Sequence, residues 1–126
     1  MKFAVLTALV AITLPVPAFA ADWVLVGDSV SGSKLYVDLQ SIRTMPNGYK
    51  RAWSRTDLKI PDKDGDNIYT GYREFDCVEK RARPLSIIFR KGEQVTYTNN
   101  AVGEWSYFSP DSMFEGLQNF VCYGKR

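Results

Sequence analysis

The sequence predicts an α+β fold, mainly β: a single antiparallel sheet of about six strands, with a C-terminal α-helix packed on one face and tethered by a disulfide. Three observations predict it. Short apolar or alternating runs separated by Gly, Asn and Asp turns fill the chain from Trp23 to Thr98. A helical period appears only after Ser109, and the two cysteines, Cys77 and Cys122, fall one in each kind of element.

Trp23-Val24-Leu25-Val26 is a short apolar strand, and the Gly- and Ser-rich stretch 27–33 reads as a turn. Leu35-Tyr36-Val37-Asp38 returns as its hairpin partner. Residues 39–42 form one helical turn or a bend, and Met45-Pro46-Asn47-Gly48 carries an Asn-Gly turn signal. Residues 49–57 are a third strand, with Trp53 set among Lys50, Arg51 and Arg55. After the polar loop 61–67, the strand 68–77 places Tyr69, Arg73, Phe75 and Cys77 on one face by parity. Residues 83–89 put Leu85, Ile87 and Phe89 on one side and Ile88 on the other. Lys91-Gly92-Glu93 turns the chain into 94–98, where Val95 and Tyr97 are core candidates. Turns this short favour an antiparallel meander, since parallel pairing needs long crossovers.

Ser109-Pro110-Asp111-Ser112 supplies helix-capping chemistry, and Ser112 with Glu115 three positions on fits a capping box. At about 100° per residue, Met113, Phe114, Leu117, Phe120 and Val121 gather on one side, with Glu115, Gly116 and Asn119 opposite. Such a helix needs an apolar surface to cover. Gly124 is a natural stop, and Lys125 and Arg126 suit the negative end of the helix dipole. A bridge from Cys122 to Cys77 would pin the helix to the sheet and protect one of its faces.

The first 20 residues read as a secretory leader: Lys2, an apolar run, then Ala18-Phe19-Ala20 as a small-residue cleavage site. The run is shorter than the roughly 20 residues needed to cross a bilayer. Cleavage after Ala20 is expected, leaving 21–126 as a single domain that is periplasmic, or secreted to the cell surface. No cysteine stands near the cleavage site to accept lipid, so a lipoprotein is not expected. The 16 Lys and Arg against 14 Asp and Glu give a formal charge of +2, without the basic excess of a dedicated nucleic-acid binder. In an oxidising compartment the two cysteines form one structural bridge. Closing its loop of about 46 residues removes on the order of 4 kcal/mol of unfolded-chain entropy. A redox pair would use Cys-x-x-Cys spacing instead.

The chain has no histidine, the commonest general base and metal ligand. Asp38, Asp57, Glu74, Asp76 and Glu79 show no spacing that predicts a catalytic pair, and Ser112 has the setting of a cap. No catalytic residue, cofactor or metal site is expected. Asp62, Asp64 and Asp66 resemble a calcium loop, but Gly65 is fourth rather than sixth and Arg73 stands where a bidentate Glu is required, so a solvated turn is the better reading. Lys80, Arg81 and Arg83, supported by Arg90 and Lys91, form the densest basic cluster, suited to an acidic partner or to guarding a strand edge. Trp105 and Tyr107, between the last strand and the helix, are the aromatic residues placed for partner contact. A non-enzymatic, macromolecule-binding envelope module is therefore expected; the rival is a periplasmic enzyme or enzyme inhibitor acting on a small ligand or a hydrolase.

The order of these features resembles the surface-adhesin protein E family of bacterial envelope proteins. The matching elements are the opening Trp23 strand, Leu35-Tyr36-Val37-Asp38 followed by Ser41-Ile42, Trp53, Tyr72 upstream of Cys77, and the terminal helix with Val121-Cys122. The resemblance implies a six-stranded antiparallel sheet carrying a disulfide-tethered helix, and adhesion to host matrix or serum proteins such as laminin, vitronectin and plasminogen. This chain departs from the adhesin type in lacking a lipid-accepting cysteine. It also carries the acidic Asp62-Lys63-Asp64-Gly65-Asp66 where that type has a basic region.

Overall fold

The computed structural model describes residues 4, 8, 10, 11 and 20–125. The leader expected over residues 1–20 lies outside them apart from isolated positions. Among the described residues no helix is long and apolar enough to cross a membrane.

The described elements are β1 (Trp23–Asp28), β2 (Lys34–Asp38), a 3-10 turn (Leu39–Ser41), β3 (Arg43–Thr44), β4 (Lys50–Asp57), β5 (Ile68–Asp76), β6 (Arg81–Lys91), β7 (Gln94–Asn99), β8 (Ser106–Tyr107) and the helix α1 (Met113–Tyr123). All strands join one antiparallel sheet in the order β1-β2-β4-β5-β6-β7. The six long strands are those the alternation predicts. β3 and β8 were not expected, because two residues carry no period. β3 pairs with the Lys50–Arg51 end of β4, on the edge whose other end holds β2. β8 pairs likewise with Arg81 and Ala82 of β6, beyond the end of β7.

Register decides which side chains share a face. Val24 lies opposite Val37, Val37 opposite Ser54, Ala52 opposite Arg73, and Phe75 opposite Ala82. On this face Val26, Leu35, Val37, Ala52, Phe75 and Ala82 meet Leu117, Val121 and Cys122 of α1 in one core. Strand β4 shows why the helix chooses it. Ala52, Ser54 and Thr56 are small and buried, while Arg51, Trp53 and Arg55 point the other way, so only the first face leaves room for a second layer.

The helix approaches β1 backbone to backbone. A β-carbon on Gly116 would stand 2.6 Å from the Val26 carbonyl oxygen, and one on Gly27 would stand 2.8 Å from that of Met113. This corrects the expectation that Gly116 lies on the solvent side: its missing side chain is what allows the contact. Ser112 caps the helix as expected, its Oγ accepting from the Glu115 N–H at 3.3 Å. The reciprocal half of the capping box differs, because the Glu115 carboxylate accepts from Asp111 N–H. At the other end Gly124 takes the left-handed conformation (φ 69°) and donates to the Phe120 carbonyl. Cys77 and Cys122 are bonded, their α-carbons 5.6 Å apart.

Two further expectations are corrected. Val95 and Tyr97 are 50% and 47% exposed, and β7 is exposed throughout. An 11-residue helix is about 16 Å long, and α1 packs on β1, β2, β4 and β5, short of the β7 edge. Leu85 does not alternate with Ile87 and Phe89, because the β5–β6 register shifts there: Tyr72 faces Ser86 but Arg73 faces Pro84.

Candidate functional site

The face of the sheet away from α1 has no second layer among the described residues. Tyr36 lies opposite Leu25 and Arg55, and Trp53 opposite Tyr72. Trp23, Tyr36, Trp53 and Tyr72 are all half-buried. The Trp53 and Tyr72 rings stack at 5.0 Å between centroids, and Trp23, Tyr36, Arg55 and Asp57 line a shallow hollow of about 170 Å³. Arg55 borders the same hollow, held by Asp57 at 2.6 Å. Among the described residues, Phe75 is the only aromatic that is fully buried.

One end of this face is organised around two buried carboxylates. Glu74 is 1% exposed and accepts from Arg51 Nε at 2.8 Å on one oxygen and from Arg83 Nε and Nη2 at 3.1 and 2.7 Å on the other. Asp76 accepts from Arg81 Nε at 3.0 Å and from the Glu79 N–H at 3.1 Å. Burial alone would raise both acids, but the hydrogen bonds and neighbouring guanidinium charges hold Glu74 below its ordinary 4.5 and Asp76 below its ordinary 3.8. Trp105 roofs the assembly, with the guanidinium carbons of Arg81 and Arg83 at 4.6 and 4.4 Å from its ring centroid. Tyr49 meets the same ring edge-on at 5.3 Å.

The structure thus brings Arg81, Arg83 and Trp105 into one stack and sets Tyr107 beside it, opposite Arg81 and 67% exposed. Lys80 sits on the turn before β6 in the left-handed conformation (φ 56°). With Tyr107 it borders a cleft of about 330 Å³ against α1, where Phe108, Glu115 and Asn119 form part of the wall. The basic cluster is divided. Arg81 and Arg83 are neutralised by strand neighbours, and Arg90 and Lys91 lie at the far end of β6, roughly 30 Å along the strand. The residues missed from sequence are Tyr49, Arg51, Glu74 and Asp76, whose meeting depends on register between strands. The large-small alternation of β4 was the available signal for Arg51 and Trp53.

Asp62, Asp64 and Asp66 do converge, with one carboxylate oxygen from each lying within 4.8 Å of the others. Much of their acceptor capacity is used within the loop. Asp62 accepts from the Asp64 and Asp66 N–H groups and from Tyr69 Oη at 2.5 Å, and Asp66 accepts from Thr96 Oγ1. The hydrogen bond to Asp62, helped by burial, pushes the Tyr69 phenol up to about 12.

No match was found among the curated proteins. The family model described as surface-adhesin protein E matches residues 23–123, from the first residue of β1 to the last of α1. With its helix tied across one side of an antiparallel sheet and its aromatic-arginine face left open, the chain belongs to the surface-adhesin protein E family.

Proposed function

We propose that this is an exported, non-enzymatic adhesion module of the bacterial envelope that binds a macromolecule on the helix-free face of its sheet, with Lys80, Arg81, Arg83, Trp105 and Tyr107 at the end of the contact. One observation carries the reading. Trp23, Tyr36, Trp53 and Tyr72 stay half-exposed among arginines on a face with no covering layer, and Trp, Tyr and Arg are the residue types that dominate binding energy at protein interfaces. Family membership supports a host matrix or serum protein, or another envelope component, as the partner.

The enzyme or inhibitor alternative draws less support. Of the three buried carboxylates among the described residues, Glu74 and Asp76 are committed to arginine and Asp66 accepts from Thr96, which leaves none of them placed as a general acid or base. The exported state rests on the Lys2-to-Ala20 leader pattern.

Surface plasmon resonance of the mature protein over immobilised laminin, vitronectin and plasminogen tests the proposal. Trp53→Ala should weaken binding by about thirtyfold or more, the range of an interface hot spot, while a control on the opposite edge, Val95→Ser, leaves it unchanged. Reversing Arg81 or Arg83 would be a poor probe, because each neutralises a buried acid; Lys80→Glu and Tyr107→Ala report on that end without disturbing the fold. Equal affinity for Trp53→Ala, Tyr36→Ala and the parent would remove the face from the account.

A further inference from the structure

Two cations on the helix-bearing face, Lys50 and Arg73, have no carboxylate partner among the described residues; Lys50 reaches the Cys122 carbonyl instead. Arg73, opposite Ala52 and Pro84 in register, extends beneath the first turn of α1. Its Nη1 donates to Ser54 Oγ at 2.5 Å, and its guanidinium carbon lies 5.2 Å from the centroid of the Phe114 ring. The head lies across Gly71 so closely that a β-carbon there would stand 2.6 Å from Nη1. Phe108, stacked on Phe114 at 5.4 Å, adds to the apolar surroundings.

Among the described residues no carboxylate lies within ion-pair distance of this guanidinium. That is unlike Arg51, Arg55, Arg81 and Arg83, each of which has one. The first turn of α1 adds partial positive charge from its free N–H groups. Its one acidic residue, Glu115, is turned towards Asp111 N–H and the cleft beside β8. A guanidinium carries five N–H donors, and here Ser54 is the single side-chain acceptor. Every fully enclosed side-chain nitrogen among the described residues has a hydrogen-bond partner, so the Arg73 donors that lack one are not fully enclosed.

We propose that this face binds an oxyanion at Arg73, where the first turn of α1 meets β4 and β5, the group being a carboxylate or a phosphate or sulfate ester carried by a ligand. A planar fork of donors in apolar surroundings pairs with such groups in bidentate fashion. Low local polarity strengthens the attraction, and the bound charge offsets both the guanidinium and the helix terminus. Burial already pulls the Arg73 guanidinium down to about 10, the cost of holding it without an anion. The site is on the opposite side of the sheet from the proposed adhesion face, so the two proposals stand or fall separately.

The test titrates the mature protein with sodium acetate, methyl phosphate and methyl sulfate at ionic strength matched by sodium chloride. Thermal unfolding and amide NMR shifts are both followed. A saturable rise in Tm of about 4–8 °C over the chloride control is expected, the shift that corresponds to roughly 1 kcal/mol in a domain of this size. Amide shifts should concentrate at Gly71, Arg73 and Phe114. Arg73→Met should lose both responses, and Arg73→Lys should keep a weaker one. A response to acetate alone assigns a carboxylate, one to the esters alone assigns those groups, and a response to all three assigns a general oxyanion site. Amide shifts absent from those three residues, or a Tm gain in Arg73→Met equal to the parent's, would overturn the proposal. Should Arg73→Met not fold, the NMR map of the parent decides.

Discussion

Glu74 shows how a single buried acid can organise a surface. Two arginines from neighbouring strands share its oxygens, and both remain about a third exposed. Glu74→Gln should therefore destabilise the domain by about 2 kcal/mol, below the 3–5 of a fully enclosed pair because water partly screens the arginines. Urea unfolding measures it. The pH dependence follows from the same contacts. Glu74 and Asp76 lie below their ordinary values in the folded state, so in acid the unfolded chain binds the extra protons. Their stabilisation is complete above about pH 5 and drains away as pH falls below 4.5 and then through each depressed folded value. The acid limb of a stability-against-pH curve should be shallower in Glu74→Gln than in the parent. The Tyr69 phenol acts at the other extreme. Raised to about 12, it contributes in full below about pH 10 and is lost as pH climbs through its folded value.

Elements explain what the sequence could and could not disclose. Helix α1 was legible from its period and caps, since Ser112 and Gly124 act locally. Gly116 was not, because its place on the wheel gives no hint that the Val26 carbonyl stands 2.6 Å from where a side chain would begin. Two effects compete there. Gly116→Ala would gain about 1 kcal/mol of helix propensity, but at that distance helix or strand must move, and overpacking costs about 1–3 kcal/mol. A net loss is expected in thermal unfolding, against the gain the same change would give in an isolated peptide. Strand β7 was legible as a strand, but Val95 and Tyr97 alternate as core residues do. The reach of α1 leaves Tyr97 uncovered, and the register shift that sets Val95 opposite Arg90 takes Val95 off the face that Tyr97 shares with Phe89. The Arg51–Glu74–Arg83 contact joins residues 23 and 9 positions apart, and it exists because the β4–β5 and β5–β6 registers align them. Composition holds the participants but not the alignment.

At the scale of the molecule, a sheet six long strands wide is paired with one helix of 11 residues. The second layer therefore depends heavily on its fastening. Loss of the disulfide, by reduction or in Cys77→Ser with Cys122→Ser, should lower stability by about 4 kcal/mol, with proteolysis beginning near α1 rather than in β5 or β6. Differential scanning calorimetry and limited proteolysis in the presence and absence of reductant check both statements. The helix also marks the sides of the molecule: one carries the core and Arg73, the other the rings of Trp23, Tyr36, Trp53 and Tyr72. A bound partner on the open side should protect those tryptophans from fluorescence quenching and leave α1 unaffected.

The sulfur bond also makes completion of this domain a matter of where the chain happens to be. In reducing surroundings, where cysteines stay as thiols, the helix lacks the covalent tie that fastens it to β5. Oxidising surroundings supply that tie, so the redox state of its environment decides whether the second layer is latched.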